Sequence, residues 1–408
     1  MRTKSVTTEK EIAARLEADI RELEDREHGY IRAGLPRFSA LFGRDSCIVS
    51  WQLIDYDPNI ARRTIEILAR LQGKKVDCVS EEEPGKIVHE WHPNPAEYKA
   101  LAWPLPYYGS VDVTPLFIYL CGLYYEKTVD TEWLATYWPH IVSALEWCEK
   151  YGDLDGDALL EYEKKNPAGL THQGWKDNRL NHLNINSPVE LIEVQGYYYA
   201  ALREASEFAL MLKDTKLARR LANRSEKVKE NCIKKFWLAE ENFFASALAK
   251  SNVADRRVMS NPGHILFTGI LDGYDDKIKM TVDRLFQDDM WTAYGIRTHA
   301  ESNSDFNPMD YHLGSIWPHD NWIIAQGLKK YGYKKEYQKI KQGLLDAYSE
   351  LGEIPELYTI TKGKIKKIPV ACSPQAWASG ALLNFVLETG MGRRYLKNRL
   401  KFFFDYDF

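Results

Sequence analysis

Apolar residues recur three and four positions apart along most of the chain, for instance at Leu344, Ala347 and Leu351. That spacing is the mark of a helix burying one stripe. It predicts paired helices over about 44–56 with 58–72, 111–127 with 131–151, 188–212 with 214–235, 263–271 with 274–286, 312–331 with 334–349, and 374–389 with 392–402. One additional helix, over about 7–27, precedes them, and the run 402–404 is expected to pack the last helix onto the body. The stops have local causes in Asp57-Pro58, the polar turn 128–131, the turn 213–215 and Tyr331-Gly332.

Connectors inside a pair are short. Those between pairs, 27–43, 73–110, 152–187, 236–262, 287–311 and 350–373, are long and rich in Pro, Gly, Trp and Tyr. Long connectors in a compact domain are usually functional, and in a ring of hairpins they emerge on one side. The first helix of each pair is the more uniformly apolar, as an inner ring buried on all sides requires. The expectation is an all-α fold, an (α/α)6 barrel with its long loops on one face. It forms a single catalytic domain over 1–408, in which 1–33 supplies an extra helix and lead-in and 34–408 the toroid. No Gly/Ser linker divides the chain into two bundles.

Charge narrows the partners. With 54 basic and 58 acidic side chains, a net charge of −4 and no long basic run, the footprint of a nucleic-acid binder is missing. The longest uncharged apolar run, 115–125, is far below the roughly 18 residues that span a bilayer, so no membrane partner is expected. The N-terminus has no signal-peptide pattern, which makes a cytoplasmic location the expectation. Six cysteines stand singly and read as reduced core residues. The 12 Trp, 24 Tyr and 15 Phe exceed what regular helices need, and those in the loops could form faces for a sugar.

The loops hold the ionisable candidates Arg44, Asp45, Glu81, Glu82, Glu83, Glu90, Asp112, Asp177, His312, His319, Asp320, Glu353 and Glu356. No serine elbow, phosphate loop or HExxH motif is present. Carboxylates prevail, and glycosidic cleavage needs two: one to protonate the leaving oxygen, one to activate water or attack. "QGWKDN" and "GEIPELY" each set a carboxylate beside a backbone constraint or a stacking face: Gly174, Trp175 and Asp177 in the first, Pro355, Glu356 and the nearby Glu353 in the second.

Seven ordered segments, "GLPRFSALFGRDS" (34–46), "EEEPGKIVHE" (81–90), "YYGSVDVTPLF" (107–117), "GLTHQGWKDN" (169–178), "EVQGYYYAA" (193–201), "FNPMDYHLGSIWPHDN" (306–321) and "PVACSPQAWASGAL" (369–382), carry a resemblance to a known family. The chain resembles the amylo-α-1,6-glucosidases, the family of the glycogen-debranching glucosidase domain, related to the trehalase and processing α-glucosidase group of inverting (α/α)6 enzymes. The resemblance implies that Asp177 is the general acid and Glu356 the general base. Many relatives place a β-sandwich before the toroid, and eukaryotic debranching enzymes add a transferase domain. The segments here begin at Gly34, so neither is expected, and branch-point targeting is in question.

Around that pair the expected sugar-binding set is Arg44, Asp45, Tyr107, Tyr108, Asp112, Trp175, Lys176, Gln195, Trp317, His319 and Asp320. Each has a structural alternative: Asp177 as a helix cap, Glu353 as the true base, Arg44-Asp45 as a structural pair, His319-Asp320 as a buried pair, the aromatic rings as core. The run Asp153, Asp155, Asp157 and Glu161 suggests a Ca²⁺ loop, although its glycine stands at position 4 and Lys164 occupies position 12, where such loops carry glutamate. No other cofactor is expected. The function expected is an inverting, exo-acting glycoside hydrolase of α-glucans or oligosaccharides, cutting an α-1,6 or related bond. Rivals are a trehalase or a mannosylglycerate or α-mannoside hydrolase of the same fold, a sugar epimerase using His312 and His319 on one helical face, and a non-catalytic glucan-binding protein.

Overall fold

The structure, a computed structural model, describes residues 8–96, 98, 103–178 and 186–388. Its helices are α1 (Glu9–Leu23), α2 (Gly43–Leu53), α3 (Pro58–Arg70), α4 (Val113–Thr128), α5 (Thr131–Trp147), α6 (Ile192–Met211), α7 (Thr215–Phe236), α8 (Asp275–Leu285), α9 (Pro318–Lys330), α10 (Lys334–Leu351) and α11 (Ala376–Leu387), with a short 3-10 helix at Asn261–Leu266. Contacts run from α2 to α4, α6, the 3-10 helix, α9, α11 and back to α2, closing an inner ring of six. Outside it, α3, α5, α7, α8 and α10 each pack on the inner helix that precedes them. The fold is an (α/α)6 toroid.

The two rings differ in burial as their sequences require. Almost every residue of α2 and α11 is buried, whereas α3, α7, α8 and α10 bury one stripe and leave charges in water. Each fully buried Leu, Ile or Phe of the inner ring contributes roughly 1.5–3 kcal/mol relative to exposure. Asp57, Asp130 and Asp214 cap the outer helices α3, α5 and α7, each accepting a hydrogen bond from a backbone N–H of the first turn.

Three helix boundaries depart from expectation. Residues 188–191 are not helical: Val189–Leu191 form a buried strand between Glu161–Tyr162 and Ala247–Ala249 in a four-stranded antiparallel sheet completed by Val253–Ala254. The helix expected over 263–271 is the 3-10 turn Asn261–Leu266, opened by Pro262. The helix expected from 312 starts at Pro318, whose fixed φ and missing N–H suit a first turn. His312 and His319 therefore share no helical face. The expected helix 392–402 and the run 402–404 lie outside the described residues. Beside α11 runs α1, with Ser379 Oγ donating to Asp19 Oδ2 at 3.3 Å, so the helix expected as an extra lies against the last inner one.

Candidate active site

Every long connector delivers the chain to the N-terminal end of an inner helix, and the site forms there. Arg44 and Asp45 open α2, Asp112 stands at the N-cap of α4, Glu193 opens α6, Asn261 and His264 lie on the 3-10 helix, His319 and Asp320 open α9, and Gln375 and Trp377 open α11. Helix N-termini carry partial positive charge and favour acidic groups. Gly43 allows the approach of α2, because a Cβ there would meet the Val88 carbonyl oxygen at 2.3 Å.

Asp177 sits on the tight loop 172–178, closed by the bridge between His172 and Asn178. Gly174 lets the loop lie against Leu191, since a Cβ would meet Leu191 Cδ1 at 2.2 Å. Arg44 Nη1 donates to Asp177 Oδ2 at 2.7 Å, and His89 Nε2 is 3.9 Å from the same oxygen. Burial raises the proton affinity of Asp177 above the usual carboxylate range, against the lowering effect of Arg44. His89 is held well below the usual imidazole range by burial and by Arg44 and Lys86, so it is neutral.

Glu356 comes from the loop before α11. Its Oε1 accepts from the Tyr311 hydroxyl and its Oε2 from the Cys372 backbone N–H at 2.9 Å. Burial pushes its pKa up to about 7, opposed by these two hydrogen bonds. Glu353, the alternative base, is ion-paired with Lys367 at 2.9 Å and bonded to Ser373, and does not line the cleft. Asp177 and Glu356 both line one cleft, walled by Phe38, Phe42, Trp175, Tyr311, Trp317 and Trp377 and lined also by Arg44 and Asp45. Asp45, bound by Gln375 Nε2 at 3.1 Å, has its proton affinity raised by burial.

The expected sugar-binding residues divide. Trp175, Trp317, Arg44 and Asp45 line the cleft. Asp112 is fully buried behind Arg44. Asp320 accepts from His264 at 2.7 Å, and His319 stacks on Trp377 at 3.7 Å between ring centroids, both beneath the cleft wall. Four of the expected residues do not line this cleft. Tyr107 bonds Glu81 and stacks on Trp103, and Tyr108 donates to the Leu71 carbonyl at 2.8 Å, so both rings are core. Gln195 holds the Leu160 and Leu191 backbone with its amide. Lys176 turns into a neighbouring cavity and donates to the Thr298 carbonyl at 2.6 Å. Sequence reasoning passed over Trp377, Tyr311, Phe42 and His89. Trp377 and Tyr311 lie in quoted segments, and aromatic rings next to shared polar residues were the available signal.

The epimerase reading needs two histidines facing one space. Trp317 lies between them: His312 stacks on it at 5.2 Å and His319 meets it edge-on at 5.4 Å. His319 is also held well below the usual imidazole range by burial.

The acidic loop converges: one ligand atom each from Asp153, Asp155, Asp157 and Glu161 lies within 4.8 Å of the others. Arg224 pairs with Asp153 at 2.8 Å, and Lys235 with Asp157. Glu161 stands opposite Glu190 in the strand ladder, and Oε2 of each is buried without a hydrogen-bond partner. The orphaned Glu161 oxygen belongs to the convergent acidic group, and carboxylate oxygens of this kind suit a hard divalent ion.

The (α/α)6 toroid has solved counterparts. An uncharacterized conserved protein from Thermus thermophilus superposes with a TM-score of 0.70 at 14% identity, over 92% of this chain and 99% of that one. A GH63 mannosylglycerate hydrolase from the same organism, solved with Tris, gives 0.69 at 14% identity over 92% and 99%, and its complex with glucose gives 0.69 over 93% and 100%. In sequence, the mannosylglycerate hydrolases MGH1 and MGH2 of Selaginella moellendorffii are each 31% identical over 78 residues, 19% of this chain. The match spans only 15% of the length of those curated relatives. Among the described residues no helix is long and apolar enough to cross a membrane. The sequence resemblance thus holds at the level of the six-hairpin glycosidases, whereas its narrower form, the amylo-α-1,6-glucosidases, is not the family that matches. The family model described as the mannosylglycerate hydrolase MGH1-like glycoside hydrolase domain matches residues 41–377, and the chain belongs to that family of glycoside hydrolases.

Proposed function

We propose that this glycoside hydrolase cleaves a small α-glycoside with inversion, with Asp177 as general acid, Glu356 as general base and a mannosylglycerate-type compound as substrate. Asp177 gives its proton to the leaving oxygen as the anomeric C–O bond breaks. Glu356 takes a proton from the water that forms the new bond on the opposite ring face. The two groups end with exchanged protonation and reset through solvent. The single observation that carries this reading is the sharing of one aromatic-walled cleft by Asp177 and Glu356. The raised proton affinity of Asp177 suits a proton donor.

Arg37, exposed beside the wall residue Phe38 and 6.0 Å from the Tyr311 ring, offers a cation at the mouth for a carboxylate-bearing aglycone. The names of the relatives point the same way. A proton NMR time course on α-mannosyl-D-glycerate, isomaltose, panose, trehalose and a limit dextrin tests this. Mannosylglycerate should be cleaved, with β-mannose appearing first. First appearance of the α-anomer would refute inversion, and glucose released from panose or dextrin alone would restore the α-1,6 reading. We further propose that Asp153, Asp155, Asp157 and Glu161 hold a structural Ca²⁺, away from the chemistry.

A further inference from the structure

One guanidinium serves two carboxylates. Arg44 Nε and Nη2 reach Asp112 Oδ2 and Oδ1 at 2.6 and 3.1 Å, while Nη1 reaches Asp177 Oδ2 at 2.7 Å. The two acceptors differ in setting. Asp112 is fully buried at the N-cap of α4, where its carboxylate makes no cap bond and instead accepts from Ser110 Oγ at 2.6 Å. Asp177 keeps 28% of its side chain open to the cleft.

A bare guanidinium against Asp177 would hold that carboxyl ionised, the wrong state for a group that must deliver a proton. A fork bonded twice to a buried carboxylate is close to neutral as a pair and presents its third edge as an oriented donor. We infer that Asp112 is a positioning residue which, by holding Arg44 in this two-bond pair, limits the positive charge felt by Asp177 and so keeps it protonated for catalysis. The inference rests on the assignment of Asp177 as the acid.

The other groups facing Asp177 leave this role to Arg44 and Asp112. From α2 comes Asp45, whose own proton affinity burial raises well above the usual carboxylate range. From the loop before α4 come His89, neutral at 3.9 Å, Glu90, whose pKa burial pushes up to about 8, and Tyr107. From the opposite wall come Tyr311 and Glu356, and His312 Nε2 lies 3.3 Å from the Asp177 backbone oxygen.

The test reads the Asp177 carboxyl directly. In protein labelled with 13Cγ-aspartate, the Asp177 resonance, assigned with Asp177→Asn, is followed against pH in wild type, Asp112→Asn and Asp112→Glu. Asp112→Asn should lower the midpoint by about one pH unit or more, the size of effect a neighbouring guanidinium has on a carboxylate. The alkaline limb of kcat/KM on α-mannosyl-D-glycerate should move down equally, and Asp112→Glu, which keeps the charge, should restore most of both. If Asp112 is merely structural, both variants lose activity with the midpoint unmoved, and the inference falls. Should Asp112→Asn not fold, Arg44→Lys carries the test. It removes the third edge from Asp177, so the midpoint must rise, and a fall or no change overturns the inference. Turnover retained by Asp177→Asn would remove the acid assignment alone, because the resonance reports the coupling without turnover.

Discussion

The Tyr311 hydroxyl donates to Glu356 Oε1, joining the loop before α9 to the loop before α11 across 45 residues of sequence. A base must be ionised to work. With the Glu356 pKa at about 7, activity should fall as pH drops through 7, giving the acid limb of a bell-shaped profile. The hydrogen bond favours the ionised form, so Tyr311→Phe should raise the Glu356 pKa and move that limb to higher pH. A limb that stays in place, or moves down, in a kcat/KM profile would contradict the role given to Tyr311.

Asp177→Asn and Glu356→Gln each remove one proton transfer. General acid or base catalysis is worth roughly 10²–10⁴-fold, so kcat should drop by about that factor in each variant, with circular dichroism and thermal midpoint near wild type. Glu353→Gln, which touches Lys367 and Ser373 outside the cleft, should keep nearly full turnover. Inversion of that order, with Glu353 essential and Glu356 dispensable, would transfer the base to Glu353.

Arg37 is exposed, beside the wall residue Phe38 and 6.0 Å from the Tyr311 ring. If it receives the carboxylate of the aglycone, Arg37→Ala should raise KM for α-mannosyl-D-glycerate by about tenfold, the loss of one charge-assisted hydrogen bond in a partly wet site. KM for a neutral aryl α-mannoside should change little. Equal effects on both substrates would assign Arg37 to the loop, through its 2.8 Å bond to the Val370 carbonyl.

The ring of hairpins was legible because each helix declares its own period and each stop has a local cause. The boundaries at 188–191 and 312–317 were not, since buried apolar residues read alike as strand and helix until a partner strand such as Ala247–Ala249 is known. The two candidate carboxylates were legible through their loops, Gly174 and Trp175 beside Asp177 and Pro355 before Glu356. Their supports were not: Tyr107, Trp175 and Gln195 each stand in one of the quoted segments, and only the packing shows that the first braces Glu81, the second walls the cleft and the third holds the Leu160 backbone. Tertiary hydrogen bonds such as Arg44 to Asp112, 68 residues apart, leave no periodic trace.

The packing of α1 on α11 makes a stability prediction. Leu16 is fully buried on α1. Leu16→Ala should cost about 2–5 kcal/mol, the range for a buried Leu that leaves a cavity, and lower the thermal midpoint by several degrees. An unchanged melting curve would mean that α1 contributes nothing to the ring.

Glu161, one of the four convergent acidic side chains, faces Glu190 in the strand ladder. Burial raises both above the usual carboxylate range, Glu161 to about 8 and Glu190 to about 7, from a reference of 4.5. The folded state then binds more protons than the unfolded one, so without metal this pair's contribution to stability is lost as pH rises from about 4.5 to 8. A Ca²⁺ ion held by Asp153, Asp155, Asp157 and Glu161 reverses the sign at Glu161, because it needs that group ionised. Ca²⁺ should therefore raise the thermal midpoint more at pH 8 than at pH 6, and calorimetric titration should release protons, an effect that depends on buffer ionisation heat. Glu161→Gln should remove the response while leaving turnover intact. The rival outcome is also specific: Arg224 and Lys235 already neutralise Asp153 and Asp157, and if they suffice, neither midpoint nor heat will respond to Ca²⁺ at any pH.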